Sequence, residues 1–428
     1  MQSRSVAHAL SWSAFAQIGG AVALIVGTRL LTTFVSPAVF GVVALTTGAS
    51  TLMSSTFCLP ILHVAGRLYP ERELAGRGCV IRRATTQLIL AASVFPAFIV
   101  LVLGSAYAAQ GRTSLMTVIA VAFLVIVEMQ RATAQTMLAA ARLQREQALW
   151  AFVEQVLRPL LAVAVVLLFG DQSWLVVAAF ALATAVAFVG SRFAHADTAE
   201  TSSAELAAER RRLVRYAAPL LPQALSAWVT GTGDRYLLAW WHGTEAAGMY
   251  AAVYGVVSRP FIMLGTIGIN AFRPAYFQQV SANDSHAARR TLAMWIGTQL
   301  AISTLGLLLL ITFQNQLLPL ALAPHYAPGF SLTPWIASGY VLLTLGQVFQ
   351  IVSLATYRTW GVTAAESVGA AASLVVGIPL IMAAGIRGAA WAVPAYFGAQ
   401  LICSVVIASR TPKTQSTVEF DALPVLTT

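Results

Sequence analysis

Runs of about twenty apolar residues return along this chain at near-regular intervals, and nothing else constrains its folding as strongly. A bilayer core needs about 20 apolar residues per helical crossing. Twelve runs meet that length: Ala9–Val35, Phe40–His63, Ile81–Tyr107, Ser114–Met137, Leu149–Phe169, Trp174–Phe193, Leu213–Trp240, Gly248–Phe272, Thr291–Phe313, Phe330–Tyr357, Val362–Ala384 and Gly388–Ala408. Composition closes off the alternatives. Of the 428 residues, 58% are hydrophobic and only 10% charged, whereas soluble domains carry about 25% charged residues. Soluble, disordered and fibrous classes are excluded, and the expected fold is an all-α polytopic membrane protein of twelve transmembrane helices. The first run is too long for a removable signal peptide and lacks its cleavage pattern, so it is expected to remain as the first helix.

Every basic residue except Lys413 is arginine, and the formal net charge is +10. Counting loop charges on alternating sides of the twelve runs puts seventeen Arg and Lys on one side (Arg4, the group Arg67 to Arg83, Arg142, Arg145, Arg192, Arg210 to Arg212, Arg289, Arg290, Arg358, Arg410 and Lys413). Only two, Arg112 and Arg387, fall on the other. Such a bias sets orientation in the membrane, and the expectation is a multi-pass protein with both termini cytoplasmic. The arginines are not interleaved with aromatics on one polar face, so nucleic acid is not an expected partner. Cys58, Cys79 and Cys403 match no metal spacing or disulfide framework. No cofactor or metal is expected.

The two halves repeat. Arg29 aligns with Arg235 and Arg67 with Arg273 at an offset of 206, while Gly41 aligns with Gly248 and Arg82–Arg83 with Arg289–Arg290 at 207. With an even number of helices in each half, the repeat is parallel and its pseudo-twofold axis runs along the membrane normal, with the ligand path between halves. The expected domains are an N-terminal lobe (1–193), a cytoplasmic linker (194–212) readable either as a solvated segment or as an interfacial helix, a C-terminal lobe (213–410) and a disordered tail (411–428).

Charges inside the membrane are costly and are retained for pairing or for a wet path. Nine candidates stand within the apolar runs: Arg29, Glu128, Arg131, Glu154, Arg158, Asp234, Arg235, Arg259 and Glu366. Glu128–Arg131 and Glu154–Arg158 have the spacing of internal helix salt bridges. Arg29, Arg158, Arg235 and Arg259 are the candidates for a cationic cavity, because a guanidinium stays charged at depth and its planar fork matches phosphate oxygens. Arg259 precedes Pro260, which places it in a locally loosened helix. Glu128, Glu154, Asp234 and Glu366 are the candidates for a coupled proton or cation.

The segment "GTRLLTTFVSPAVFGVVAL", followed by "AGRLYPERE", resembles the opening of polysaccharide-unit flippases of the Wzx type, in the multidrug/oligosaccharidyl-lipid/polysaccharide (MOP) exporter superfamily. "YAAPLLPQALSAWVTGTGDRYLLAWWHGTEAAGMYAAVYGV" is closer still, through Pro219, Pro222, Asp234, Arg235, Tyr236, Gly248 and Tyr250, and "IRGAAWAVP" around Arg387 and Gly388 is similar to the entry to the last helix. The resemblance implies two MATE-like six-helix lobes that open alternately around a cationic cavity. It implies transport of an undecaprenyl-diphosphate-linked oligosaccharide from the cytoplasmic to the periplasmic leaflet of a bacterial inner membrane. Membrane lipids and a polysaccharide polymerase of the same pathway are the further partners it suggests. A cation-coupled multidrug exporter of the same superfamily is the nearer alternative, and arginines in its cavity would repel organic cations. A membrane-bound polymerase or ligase would do its chemistry on a sizeable periplasmic loop. The longest such loop, Gln314–Gly329, has no Arg, Lys, Asp or Glu and offers only His325 and Tyr326, so the protein is not expected to be an enzyme.

Overall fold

A computed structural model describes residues 19–20, 22–111, 113–193, 201–217, 221–356 and 358–410. Arg4, Arg112, Lys413, Pro219, the tail after residue 410 and the first part of the linker, 194–200, lie outside the described residues. The described chain is helical throughout: α1 (Val22–Phe34), α2 (Pro37–Phe57), α3 (Leu59–Leu74), α4 (Gly78–Ala109), α5 (Leu115–Ala140), α6 (Gln144–Phe169), α7 (Ser173–Phe193), α8 (Ser203–Ala217), α9 (Leu221–Ser281), α10 (Ser285–Ala321), a 3-10 segment (Pro324–Leu332), α11 (Thr333–Ala355) and α12 (Thr359–Ser409).

Nine of these helices are long and apolar enough to cross a membrane, and α1 is a shorter apolar helix. Two of the nine are hairpins. Backbone reversal occurs at Gly243 in α9 (φ 87°, ψ 168°) and at Gly385 in α12 (φ 55°, ψ −129°), where the absence of a Cβ makes positive φ cheap. Tyr250 reaches Asp234 at 2.5 Å, whereas sixteen residues of straight helix would hold them about 24 Å apart. We call the halves α9a and α9b, and α12a and α12b. Counted this way, with α2 and its extension α3 as one crossing and the shorter α1 as another, the crossings among the described residues number twelve, the number the sequence predicts.

Local chemistry explains the boundaries. Ser36 caps α2 by accepting from the Val39 N–H at 3.4 Å, with Pro37 in the first turn, and Ser114 and Asp284 cap α5 and α10 in the same way, as helix N-termini require. The second crossing breaks at Cys58, just before Pro60, because a proline inside a helix removes a backbone donor and crowds the preceding turn. The seventh apolar run was expected to begin at Leu213. Instead, Leu213 and Ala217 belong to α8, which buries them with Leu206 and Glu209, and the crossing begins after it. Arg72 ties α8 down through a two-pronged pair with Glu209 (3.1 and 2.8 Å).

One core gathers Val35, Leu62, Ile89, Val125, Met129, Phe180 and Leu213, and a second gathers Leu238, Tyr250, Phe261, Tyr326, Ile336, Val393 and Tyr396. These are the centres of two six-helix lobes. Large apolar side chains such as Leu103, Leu167, Leu308 and Leu320 stay exposed on the outside, as lipid-facing surface does. The lobes meet around a symmetric contact: a Cβ on Gly41 would collide with the Thr244 carbonyl, and one on Gly248 with the Pro37 carbonyl. Thr244 stands 207 residues after Pro37, as Gly248 does after Gly41. Reciprocal contacts between equivalent residues are what a twofold axis produces, so the pseudo-twofold passes through this glycine pair.

Candidate functional site

The two lobes touch in the half of the molecule that carries few arginines. Tyr236 on α9a donates to the Leu45 carbonyl at 2.6 Å, and the Trp228 indole N–H to the Gly48 carbonyl at 2.8 Å. Arg29 on α1 donates to the Leu322 carbonyl, and one turn further Thr32 accepts from the Ala323 N–H at 3.1 Å. Phe40 packs edge-on against Tyr326, ring centres 6.1 Å apart. Leu322 closes α10 in extended backbone, so Arg29 and Thr32 satisfy the groups that a helix end leaves unpaired. Trp228 and Gly48 mark the deepest of the inter-lobe hydrogen bonds described. On α9b, nothing lies within 4 Å of where a Gly255 Cβ would stand.

The intramembrane charges divide into three environments. On α5 and α6 four of them close a ring: Arg131 reaches Glu128 at 2.5 Å and Glu154 at 3.3 Å, while Arg158 reaches Glu128 and Glu154, both at 2.7 Å. Thr184 on α7 accepts from Arg158 at 2.9 Å. Both helix-internal pairs read from the sequence form, and each arginine also crosses to the other helix. The ring is neutral, and side-chain exposures of 5 to 27% mean that breaking it would strand a charge away from bulk water.

In the C-terminal lobe, Asp234 accepts from the Tyr250 hydroxyl at 2.5 Å and from the Arg235 backbone N–H at 2.8 Å. The Arg235 guanidinium lies over the Tyr254 ring, 5.0 Å from its centre, and the Tyr340 hydroxyl donates to Tyr254 at 3.0 Å. Arg235 is therefore held within its own lobe, although its repeat partner Arg29 bridges the lobes. Glu366 is half-buried on α12a.

Arg259 stands apart. It is exposed, and no hydrogen bond or ion pair joins it to a described residue. The α9b helix stays regular through Pro260. Gly248, Gly255 and Arg259 are separated by seven and four residues, which puts them on one helix face. That face meets Gly41 of the other lobe at its upper end, so Arg259 looks into the gap where the lobes part. A depression of about 610 Å³ at the α9 and α12 turns, lined by His242, Glu245 and Gly385 among others, holds none of the candidate residues. Among the described residues no group of three or more His, Cys, Asp or Glu has the arrangement to hold a metal ion.

Sequence reasoning did not single out Thr32, Thr184, Trp228, Tyr254 or Tyr340. Hydroxyls and indoles at helix spacing carry no signal until their partners are known, although Trp228 lies within the segment that carries the family resemblance.

No family model matches the sequence, and no curated protein matches it. Solved structures do match. An inward-facing multidrug resistance MATE family transporter of the MOP superfamily aligns over 94% of this chain and 96% of its own, at 13% identity and a TM-score of 0.60. The lipid II flippase MurJ in an inward closed conformation aligns over 94% and 88%, at 10% identity and a TM-score of 0.70. A MOP superfamily transporter from Pyrococcus furiosus aligns over 94% and 91%, at 12% identity and 0.53. These neighbours are transporters and flippases, and this chain has the fold they share: a multi-pass, two-lobed, all-α membrane protein.

Proposed function

We propose that the protein is a Wzx-type flippase that carries an undecaprenyl-diphosphate-linked oligosaccharide across a bacterial inner membrane by alternating access. On this reading the arginine-rich end and both termini are cytoplasmic, the N-terminal lobe (1–193) and the C-terminal lobe, which begins after α8 at Leu221 and runs to Arg410, rock about the glycine pair, and the substrate leaves at the periplasmic side. The observation that carries the reading is Arg259, an intramembrane guanidinium with no partner among the described residues, facing the gap between the lobes. A charge held in that position without a counter-ion is expensive, and an anionic ligand repays the cost. Arginine matches a diphosphate in both charge and geometry. The carboxylates Glu128, Glu154 and Asp234 already hold internal partners, so they do not repel such a ligand. They remain, with Glu366, the groups through which a proton or cation gradient would couple.

The multidrug reading draws on the MATE neighbours, but an organic cation would meet an unpaired positive charge in the gap. The lipid II flippase among the structural neighbours favours a lipid-linked substrate. The purified protein in proteoliposomes tests the choice: flipping of a fluorescent lipid-diphosphate oligosaccharide with no transport of ethidium is expected. Ethidium transport without lipid flipping would overturn the proposal.

A further inference from the structure

We infer that Trp228 is the platform for the sugar attached to the diphosphate, forming with Arg259 a two-part site for a glycosyl diphosphate; the inference rests on the flippase reading. The register of the α9 hairpin carries it. Trp228 lies 15 residues before the turn at Gly243 and Arg259 lies 16 after it, so the two stand at the same level on adjacent antiparallel helices. Side-chain contacts between the two helices agree with that register: Asp234 faces Tyr250 and Arg235 faces Tyr254, which brackets Trp228 opposite Arg259. Packed helices have axes about 8–10 Å apart, a separation that a diphosphate and one pyranose ring span.

Both residues face the other lobe. Trp228 donates its indole N–H to Gly48 of α2, and Arg259 shares the α9b face that meets Gly41. Trp228 is half-buried, with Tyr236 tilted against it at 5.1 Å and 52°. The ring is thus fixed at both its edge and its side, at the depth where the inter-lobe hydrogen bonds end. A rigid aromatic face beside an unpaired cation is the arrangement that pockets use to combine apolar area with a few oriented polar groups. The apolar face of a hexopyranose fits the first element and a phosphate oxygen the second. Platform recognition reads the ring's shape and leaves its hydroxyls to other groups, so the site selects a glycosyl diphosphate as a class.

Binding to the purified full chain separates the parts, with undecaprenyl diphosphate and undecaprenyl-diphosphate-hexose as the two probes. Trp228→Leu is expected to weaken the hexose-bearing lipid about tenfold or more and to leave bare undecaprenyl diphosphate unchanged. Trp228→Phe keeps the ring without the indole N–H and is expected to stay within about threefold of wild type for both, which separates stacking from the link to Gly48. Arg259→Ala is expected to weaken both lipids equally. If Trp228→Leu leaves both affinities unchanged, or lowers both alike while its thermal unfolding matches wild type, the platform assignment is overturned and the flippase reading stands. If neither lipid binds the wild type, or Arg259→Ala binds both normally, the flippase reading itself fails.

Discussion

Gly41→Ala isolates the closure of the lobes from their folding. Its Cβ would fall inside the van der Waals envelope of the Thr244 carbonyl, which belongs to the other lobe, and a backbone atom at a helix start has little freedom to retreat. Overpacking of this kind costs about 1–3 kcal/mol, charged here only to the closed state. At about 1.4 kcal/mol per factor of ten, the ratio of closed to open molecules falls roughly 5- to 150-fold. The lobes themselves do not suffer, because alanine is a better helix former than glycine by about 1 kcal/mol. Gly255→Ala is the control: it lies on the same face of α9b as Gly248, where nothing stands within 4 Å, so it carries the same propensity gain with no clash. With Cys58, Cys79 and Cys403 replaced, spin labels at the exposed positions Gln110 and Ser331, one on each lobe, report the separation at the arginine-poor end. Gly41→Ala should move that distribution to longer distances and slow flipping, with thermal unfolding at or above the parent; Gly255→Ala should leave the distances in place. An unchanged distance distribution with full flipping in Gly41→Ala would refute the glycine contact as the closure point.

Three further outcomes follow from other contacts. Removing the Arg29 bond to Leu322 or the Thr32 bond to Ala323, by Arg29→Ala or Thr32→Val, should each cost the closed state about 1–3 kcal/mol, read as a longer distance between the same label pair. Arg158→Ala leaves Glu128 and Glu154 to share Arg131; losing one member of such a buried network costs about 3–5 kcal/mol, so a marked drop in unfolding temperature is expected, and an unchanged one would contradict the closed ring. Arg72→Ala should free α8 from α3 and expose residues 203–217 to trypsin, whereas Arg67→Ala breaks a pair whose members are 76% and 55% exposed, should change stability by less than about 0.5 kcal/mol, and should leave that cleavage unaltered.

Crossings, repeat and charge clusters were legible because each leaves a periodic or countable mark. Apolar runs have the length of a bilayer, and Gly41 with Gly248 keeps an offset that the fold turns into contact. The pairs Glu128–Arg131 and Glu154–Arg158 were visible at helix spacing, but their closure into one ring was not, since the cross-links join α5 to α6. The start of the seventh crossing was misread because Leu213 and Ala217 are apolar in both settings, and only packing against α3 and α4 separates a docked surface helix from a span. Arg29 shows the same limit. Its partner is a backbone carbonyl 293 residues away, and a backbone group carries no residue type to read. Arg29 and Arg235 align in the repeat, but their neighbours differ: Asp234 and Tyr254 flank Arg235, and the end of α10 holds Arg29.

Arg259 in the gap is the centre of the account, and one flipping measurement addresses it most directly. In proteoliposomes loaded with a lipid-diphosphate oligosaccharide, Arg259→Ala should lose most flipping, Arg259→Lys should fall between it and wild type because a point charge replaces the fork, and thermal unfolding of both should match wild type because Arg259 touches no described partner. Wild-type flipping by the alanine protein would contradict the account, since the gap would then carry its substrate without the guanidinium assigned to it.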